Sequence, residues 1–132
     1  MNDRKRIVFV CIENSNRSQM AEAFARIHGD GKLEAHSAGS RPSGSVNPQA
    51  IAAMAELGYD LNRHQSKSLS ELAGIDFDVA VTMGCGDECP NIRAKQRENW
   101  QIPDPKNMAE DCFRAVRDMI ESNVIDLLRR LG

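Results

Sequence analysis

The sequence predicts an α/β protein, a single domain over residues 1–132 in which helices cover a parallel β-sheet. Two patterns carry that expectation. Short apolar runs without polar alternation, as strands buried on both faces require, take turns along the chain with stretches apolar at helical spacing. The length of 132 residues suits one buried core, and no repeat, low-complexity tract or linker interrupts it.

Residues 6–10 read as the first strand, a fully apolar run after the solvated lead-in Arg4-Lys5-Arg6. A helix is expected from about Arg17 to Gly29, with Met20, Phe24 and Ile27 along one face. Leu33 to Ser37 gives a second strand ending at the turn Ala38-Gly39. Asn47-Pro48 is a helix cap followed by proline at the first helical position. That helix runs past Ile51, Met54 and Leu57 to Gly58, which suits the left-handed position after a helix end. Phe77 to Met83 is the third strand and Trp100 to Ile102 a short fourth. A long amphipathic helix follows from Met108, with Cys112, Val116, Met119, Ile120, Val124, Leu127, Leu128 and Leu131 on its apolar side.

Composition excludes several classes. With 17 basic and 19 acidic residues the formal charge is −2, which leaves no basic footprint for nucleic acid. No apolar stretch approaches the roughly 20 residues of a membrane span. The N-terminus lacks the apolar core of an export signal, so the four cysteines point to the reducing cytoplasm. No histidine or cysteine set has metal-ligand spacing, and neither a metal nor a cofactor is expected.

The chemistry is concentrated in Cys11-Ile12-Glu13-Asn14-Ser15-Asn16-Arg17-Ser18, directly after the first strand. A strand ending in cysteine that turns through five residues into a helix gathers main-chain N–H groups and a positive helix end around one tetrahedral anion. Residues Ile12 to Ser18 form that cradle, and the Arg17 guanidinium clamps two oxygens of the anion. The same field favours the thiolate of Cys11, the nucleophilic form of cysteine. In parallel sheets ligands sit at the carboxyl ends of the strands, where Cys11 falls.

Val10 to Glu22 (VCIENSNRSQMAE) resembles the active-site loop of the low-molecular-weight protein tyrosine phosphatases and of the arsenate reductases built on the same fold. The resemblance continues through Ser37-Ala38-Gly39, Val46-Asn47-Pro48 and Asp104-Pro105, nearly the whole chain. It implies a flavodoxin-like three-layer sandwich, phosphatase I-like, with a four-stranded parallel sheet of order 2-1-3-4. It also implies that Asp104 is the general acid, that the Asn14 amide holds the loop open, and that Ser18 donates to the Cys11 thiolate. Taken alone, Asp104-Pro105 is also a common turn former.

Cys85 and Cys89, in Gly84-Cys85-Gly86-Asp87-Glu88-Cys89-Pro90, divide the family's two chemistries. A phosphatase needs one cysteine, because water hydrolyses its phosphoenzyme. Arsenate reduction consumes two electrons, which further thiols must supply. The mechanism implied by the resemblance starts with a Cys11 thiol–arsenate adduct. Cys85 then attacks the sulfur of Cys11, arsenite leaves, and Cys89 resolves the disulfide as Cys85–Cys89 for re-reduction by thioredoxin. The Cys-x3-Cys spacing is shorter than in the thioredoxin-coupled reductases, which keeps glutaredoxin or glutathione open as donor. Phosphate and sulfate are expected competitors of arsenate. The alternative is an aryl-phosphate phosphatase using Cys11, Arg17 and Asp104 alone; a third reading is an idle oxyanion-binding protein.

Some departures from the family pattern stand out. Glu13 occupies a usual glycine position, where a carboxylate beside an anion is unfavourable unless it faces solvent. Asn16 replaces a second loop cysteine. Some relatives bind potassium through an asparagine, a glutamate, a serine and an aspartate; Asn14, Glu22 and Ser37 match the first three, and Lys67 stands at the fourth. The expectation is that the Lys67 ammonium replaces the metal ion and pairs with Glu22. His28, His36 and His64 are given no role, and Trp100, Tyr59 and Cys112 are assigned to packing.

Overall fold

The computed structural model describes residues 4–29, 31–72, 74–83 and 92–131. Four strands, β1 (Lys5–Cys11), β2 (Leu33–Gly39), β3 (Asp76–Thr82) and β4 (Arg93–Asn99), form one sheet of order β2-β1-β3-β4. All the pairings are parallel, with Ile7 opposite Ala35 on one side and Val79 on the other. Among the described residues, three α-helices, α1 (Arg17–Gly29), α2 (Pro48–Ala55) and α3 (Glu110–Leu131), pack with this sheet.

Burial follows the strand period. Ile7, Phe9 and Cys11 of β1 face the main core, which α1, α2 and α3 fill with Met20, Phe24, Met54, Ile120 and Leu127. Val8 and Val10 face a smaller cluster with Phe77 and Ala80, covered by Leu69 and Leu72 of a 3₁₀ turn. β1 is therefore buried on both faces, which is why its sequence lacks alternation. The chain leaves β1 toward β2 on one side and later returns to β3 on the other. That reversal places the C-terminal end of β1 at the topological switch point, where open α/β sheets bind ligands.

Several expected positions shift. The fourth strand is Arg93–Asn99, not Trp100 to Ile102. It pairs on one side only, so an exposed edge strand is free to be charged and carries no apolar run to find. Trp100 and Ile102 are buried just beyond it, where Trp100 N–H donates to the Thr82 carbonyl and its ring lies 5.9 Å from that of Phe9. Along α3 the buried stripe is Phe113, Val116, Arg117, Ile120, Val124 and Leu127, while Cys112 and Met119 are exposed. Each of those two sits about 100° around the helix from its buried neighbour. At the end of α2, Gly58 (φ +82°) donates to Ala55 C=O and Tyr59 to Met54 C=O, a glycine-terminated Schellman turn.

A buried arginine ties α2 to α3. Arg117 donates to the Ala53 carbonyl at 2.9 Å and to Glu56 Oε1 at 2.7 Å. Hydrogen bonds from Arg114 and then Arg117 hold the Glu56 carboxyl far below the usual carboxylate range, at about 2. Arg117→Met keeps an apolar stem and removes these two bonds and a third, to Asp118 Oδ1, so urea unfolding is expected to register a loss of about 1–3 kcal/mol. An unchanged midpoint would show the arginine to be packing only.

Candidate active site

Cys11 closes β1, residues 12–16 form the turn, and Arg17 opens α1. Each carbonyl of that turn is bonded to a group outside it. Ile12 accepts from Arg41 N–H at 2.8 Å, Glu13 from Ser43 N–H at 3.0 Å and Ser15 from Asn47 N–H at 3.0 Å. Asn14 accepts from Gln19 Nε2 and Asn16 from Met20 N–H. In a trans peptide the N–H points opposite to the carbonyl. The N–H groups that follow these carbonyls therefore point away from those partners, and Cys11, Ile12, Glu13, Ser15, Asn16, Arg17 and Asp104 line a cavity of about 80 Å³. That space suits one tetrahedral oxyanion.

Side chains lock the turn. Asn14 sits in the left-handed region (φ +52°), which asparagine tolerates better than most residues. Its Nδ2 donates to Ser18 Oγ at 2.8 Å, and its Oδ1 accepts from Gln19 Nε2 and from Lys67 N–H, each at 2.9 Å. Because Ser18 accepts from Asn14, its own proton is available to the Cys11 sulfur, 2.9 Å away. Ser18 is thus oriented as a donor to the Cys11 sulfur.

Arg17 is buried, with Nη1 donating to the Ile102 carbonyl at 3.1 Å and Nη2 at 3.9 Å from Asp104 Oδ2. One edge of the guanidinium is pinned, and its remaining N–H groups are available to an anion. Asp104 Oδ1 caps the expected turn through Lys106 N–H, and its Oδ2 faces Arg17 at the cavity. Glu13 lies at the cavity rim, half exposed, with Lys106 Nζ at 3.5 Å from its carboxylate. Asn16 is buried, and its Oδ1 has no hydrogen-bond partner among the described residues.

The expected Lys67–Glu22 pair does not form. Glu22 is taken by Arg26, at 2.8 Å, and by the Ser37 hydroxyl, at 2.6 Å. Arg26 lies one helical turn from Glu22 and reaches it within α1. Lys67 supports the loop through its backbone instead, donating to Asn14 Oδ1 and accepting from Gly39 N–H. Cys85 and Cys89 lie outside the described residues.

Sequence reading missed His64 and Gln19. His64 Nδ1 contacts Gln19 Oε1 at 2.9 Å and its Nε2 contacts the Tyr59 hydroxyl at 2.7 Å. Gln19 spends its amide protons on Asn14 and Gln65, so its oxygen must accept, which places the imidazole proton on Nδ1. Burial pushes the His64 pKa down, with Glu22 opposing and Arg26, Lys67 and Arg63 reinforcing the shift. No spacing in the sequence announces a contact between residues 19 and 64.

The structure yields two expectations. A Cβ on Gly39 would stand 2.5 Å from the Ile12 carbonyl and 2.9 Å from Asn14 N, both main-chain atoms of the cradle. Gly39→Ala should therefore weaken phosphate binding by at least about tenfold, or 1.4 kcal/mol, in a calorimetric titration. Equal affinity would mean that the loop is not built to this tolerance. The second concerns pH. Unfolded, His64 takes its proton near 6.5; folded, it does so only at lower pH. Between those values the unfolded chain binds more protons, so stability falls as pH drops. His64→Gln should flatten that part of a urea-unfolding profile collected against pH.

Comparison with known proteins places this geometry. Residues 6–132 match the model of the family described as low molecular weight phosphotyrosine protein phosphatase. A glutaredoxin arsenate reductase of Synechocystis sp. is 38% identical, over 97% of this chain and 99% of its own. A solved arsenate reductase in the phosphate-binding state is 37% identical with a TM-score of 0.89, covering 97% of this chain and 99% of the other. A thioredoxin-dependent arsenate reductase of Corynebacterium glutamicum is 26% identical with a TM-score of 0.79, covering 96% of this chain and 61% of the other.

Proposed function

The chain belongs to the low molecular weight phosphotyrosine protein phosphatase family, and on that premise we propose that it is an arsenate reductase that spends the electrons of its own thiols. The observation that carries this reading is an oxyanion cradle around Cys11 in a chain whose relatives, at 36–38% identity over almost their full length, are named arsenate reductases.

The cradle residues Ile12 to Ser18 bind arsenate through N–H groups and the Arg17 guanidinium. Cys11 attacks arsenic, and Asp104, facing Arg17 over the same cavity, supplies the proton with which a hydroxide leaves as water. Cys85 then attacks the sulfur of Cys11. The sulfur–arsenic bond breaks with its electron pair on arsenic, which leaves as arsenite, and a Cys11–Cys85 disulfide remains. Cys89 exchanges into it, freeing Cys11 and forming Cys85–Cys89. An external dithiol or glutathione returns the two electrons. For that donor the glutaredoxin named in the 38% relative supports glutaredoxin with glutathione, while thioredoxin is the donor named in a structure sharing 26%.

Aryl-phosphate hydrolysis is the second reading, because Cys11, Arg17 and Asp104 serve its first covalent step equally well. The cysteine variants separate the two. Cys85→Ser should give no arsenite, and Cys89→Ser one arsenite per enzyme before stalling as the Cys11–Cys85 disulfide. Steady-state turnover with either donor should fall at least about a hundredfold in both variants, with p-nitrophenyl phosphate hydrolysis unaltered. Full arsenate turnover by both variants would overturn the relay. Absent arsenate turnover by the unmodified protein, alongside rapid ester hydrolysis, would move the chain to the phosphatases.

A further inference from the structure

A second cavity, of about 250 Å³, shares no lining residue with the catalytic one. Glu22, Arg26, Tyr59, Arg63, His64 and Lys67 form most of its wall. Its one lining carboxylate is already used, because Glu22 is neutralised by Arg26 and accepts the Ser37 hydroxyl. Asp60, the nearby acid of the same segment, turns an oxygen to Asn62 N–H. Arg63 and Lys67 have no carboxylate within ion-pair distance among the described residues. His64 is held neutral by burial, and both its ring nitrogens are taken by Gln19 and Tyr59.

The resulting balance is a polar pocket whose wall carries two cations that have no carboxylate partner among the described residues. Such a pocket repels a metal ion and attracts a dianion, which relieves the repulsion between the tethered charges. We propose that this cavity is a second binding site for a small divalent oxyanion, such as inorganic phosphate, held by Arg63 and Lys67 and separate from the catalytic loop. Exposed basic side chains in water hold anions weakly, so its dissociation constant is expected near about 1 mM. Lys67 also carries the backbone N–H that fixes Asn14, so one hydrogen bond links the wall of this cavity to the catalytic loop.

The test is a phosphate titration followed by ¹H–¹⁵N correlation spectra, with sodium chloride at matched ionic strength as control. It is run on two forms whose catalytic loop is disabled: Arg17→Ala, and the native sequence treated with iodoacetamide until Cys11 is alkylated together with the more exposed Cys112. Saturable shifts in residues 59–67 are expected in either form with phosphate or sulfate and not with chloride. Arg63→Gln/Lys67→Gln should weaken that titration at least about tenfold. The proposal is overturned if those resonances stay still up to about 10 mM phosphate, tenfold the expected dissociation constant, if chloride reproduces the shifts, or if the double variant titrates like its parent.

Discussion

Main-chain N–H groups of residues 13–17 can face an anion only if the carbonyls of residues 12–16 are satisfied elsewhere. Much of the fold serves that requirement. The segment after β2 supplies the N–H groups of Arg41, Ser43 and Asn47, and α1 supplies Gln19 and Met20. Ser66 adds a hydroxyl to Glu13. β2 must end in glycine where it passes the loop, since Gly39 abuts the Ile12 carbonyl and Asn14 N. A left-handed Asn14 closes the turn, held by bonds from Gln19 and Lys67 and by its own bond to Ser18. A buried polar loop of this kind is viable because almost every group is paired.

Electrostatics then divides the labour. Arg17 is fixed on one edge by a carbonyl from beyond β4 and keeps Asp104 at 3.9 Å, too long for a tight ion pair. The guanidinium is therefore not committed to a carboxylate and can take the incoming anion, while Asp104, the proposed general acid, remains beside the cavity. Glu13, which would oppose anion binding, sits at the rim and is drawn to Lys106. None of this distinguishes phosphorus from arsenic. Both chemistries share the nucleophile, cradle and acid, and they diverge only where electrons are required.

Legibility in the sequence tracked local determination. β1, the Cys11 loop and α1 were readable because strand, turn and helix start are contiguous, and the Asn47-Pro48 cap and Gly58 were readable because each acts within a few residues. β4 was not, since an edge strand needs neither burial nor alternation, and the apolar signal lay just beyond it in Trp100 and Ile102. Cys112 was misplaced because a helical stripe drifts and its margin is set by what packs there. The His64–Gln19–Asn14 connection and the exchange of Lys67 for Arg26 at Glu22 depend on three-dimensional reach, which spacing does not encode.

The rigidity of the cradle constrains how a thiol relay can run. Cys11 is buried at a strand end, with its sulfur against Ser18 and its backbone paired to β2. Moving it outward would break strand pairing and the outward carbonyl bonds together, a cost several buried hydrogen bonds deep. Cys11 therefore stays in place, and in the proposed relay the partner thiol has to reach the Cys11 sulfur from beside the cavity of about 80 Å³ assigned to the oxyanion. Attack on the Cys11 sulfur must come from the side opposite the arsenic leaving group, so the incoming sulfur and the bound oxyanion cannot share one position. A rigid oxyanion site and an arriving second nucleophile are thus complementary: the first fixes the sulfur–arsenic axis, and the second needs only to reach one defined line.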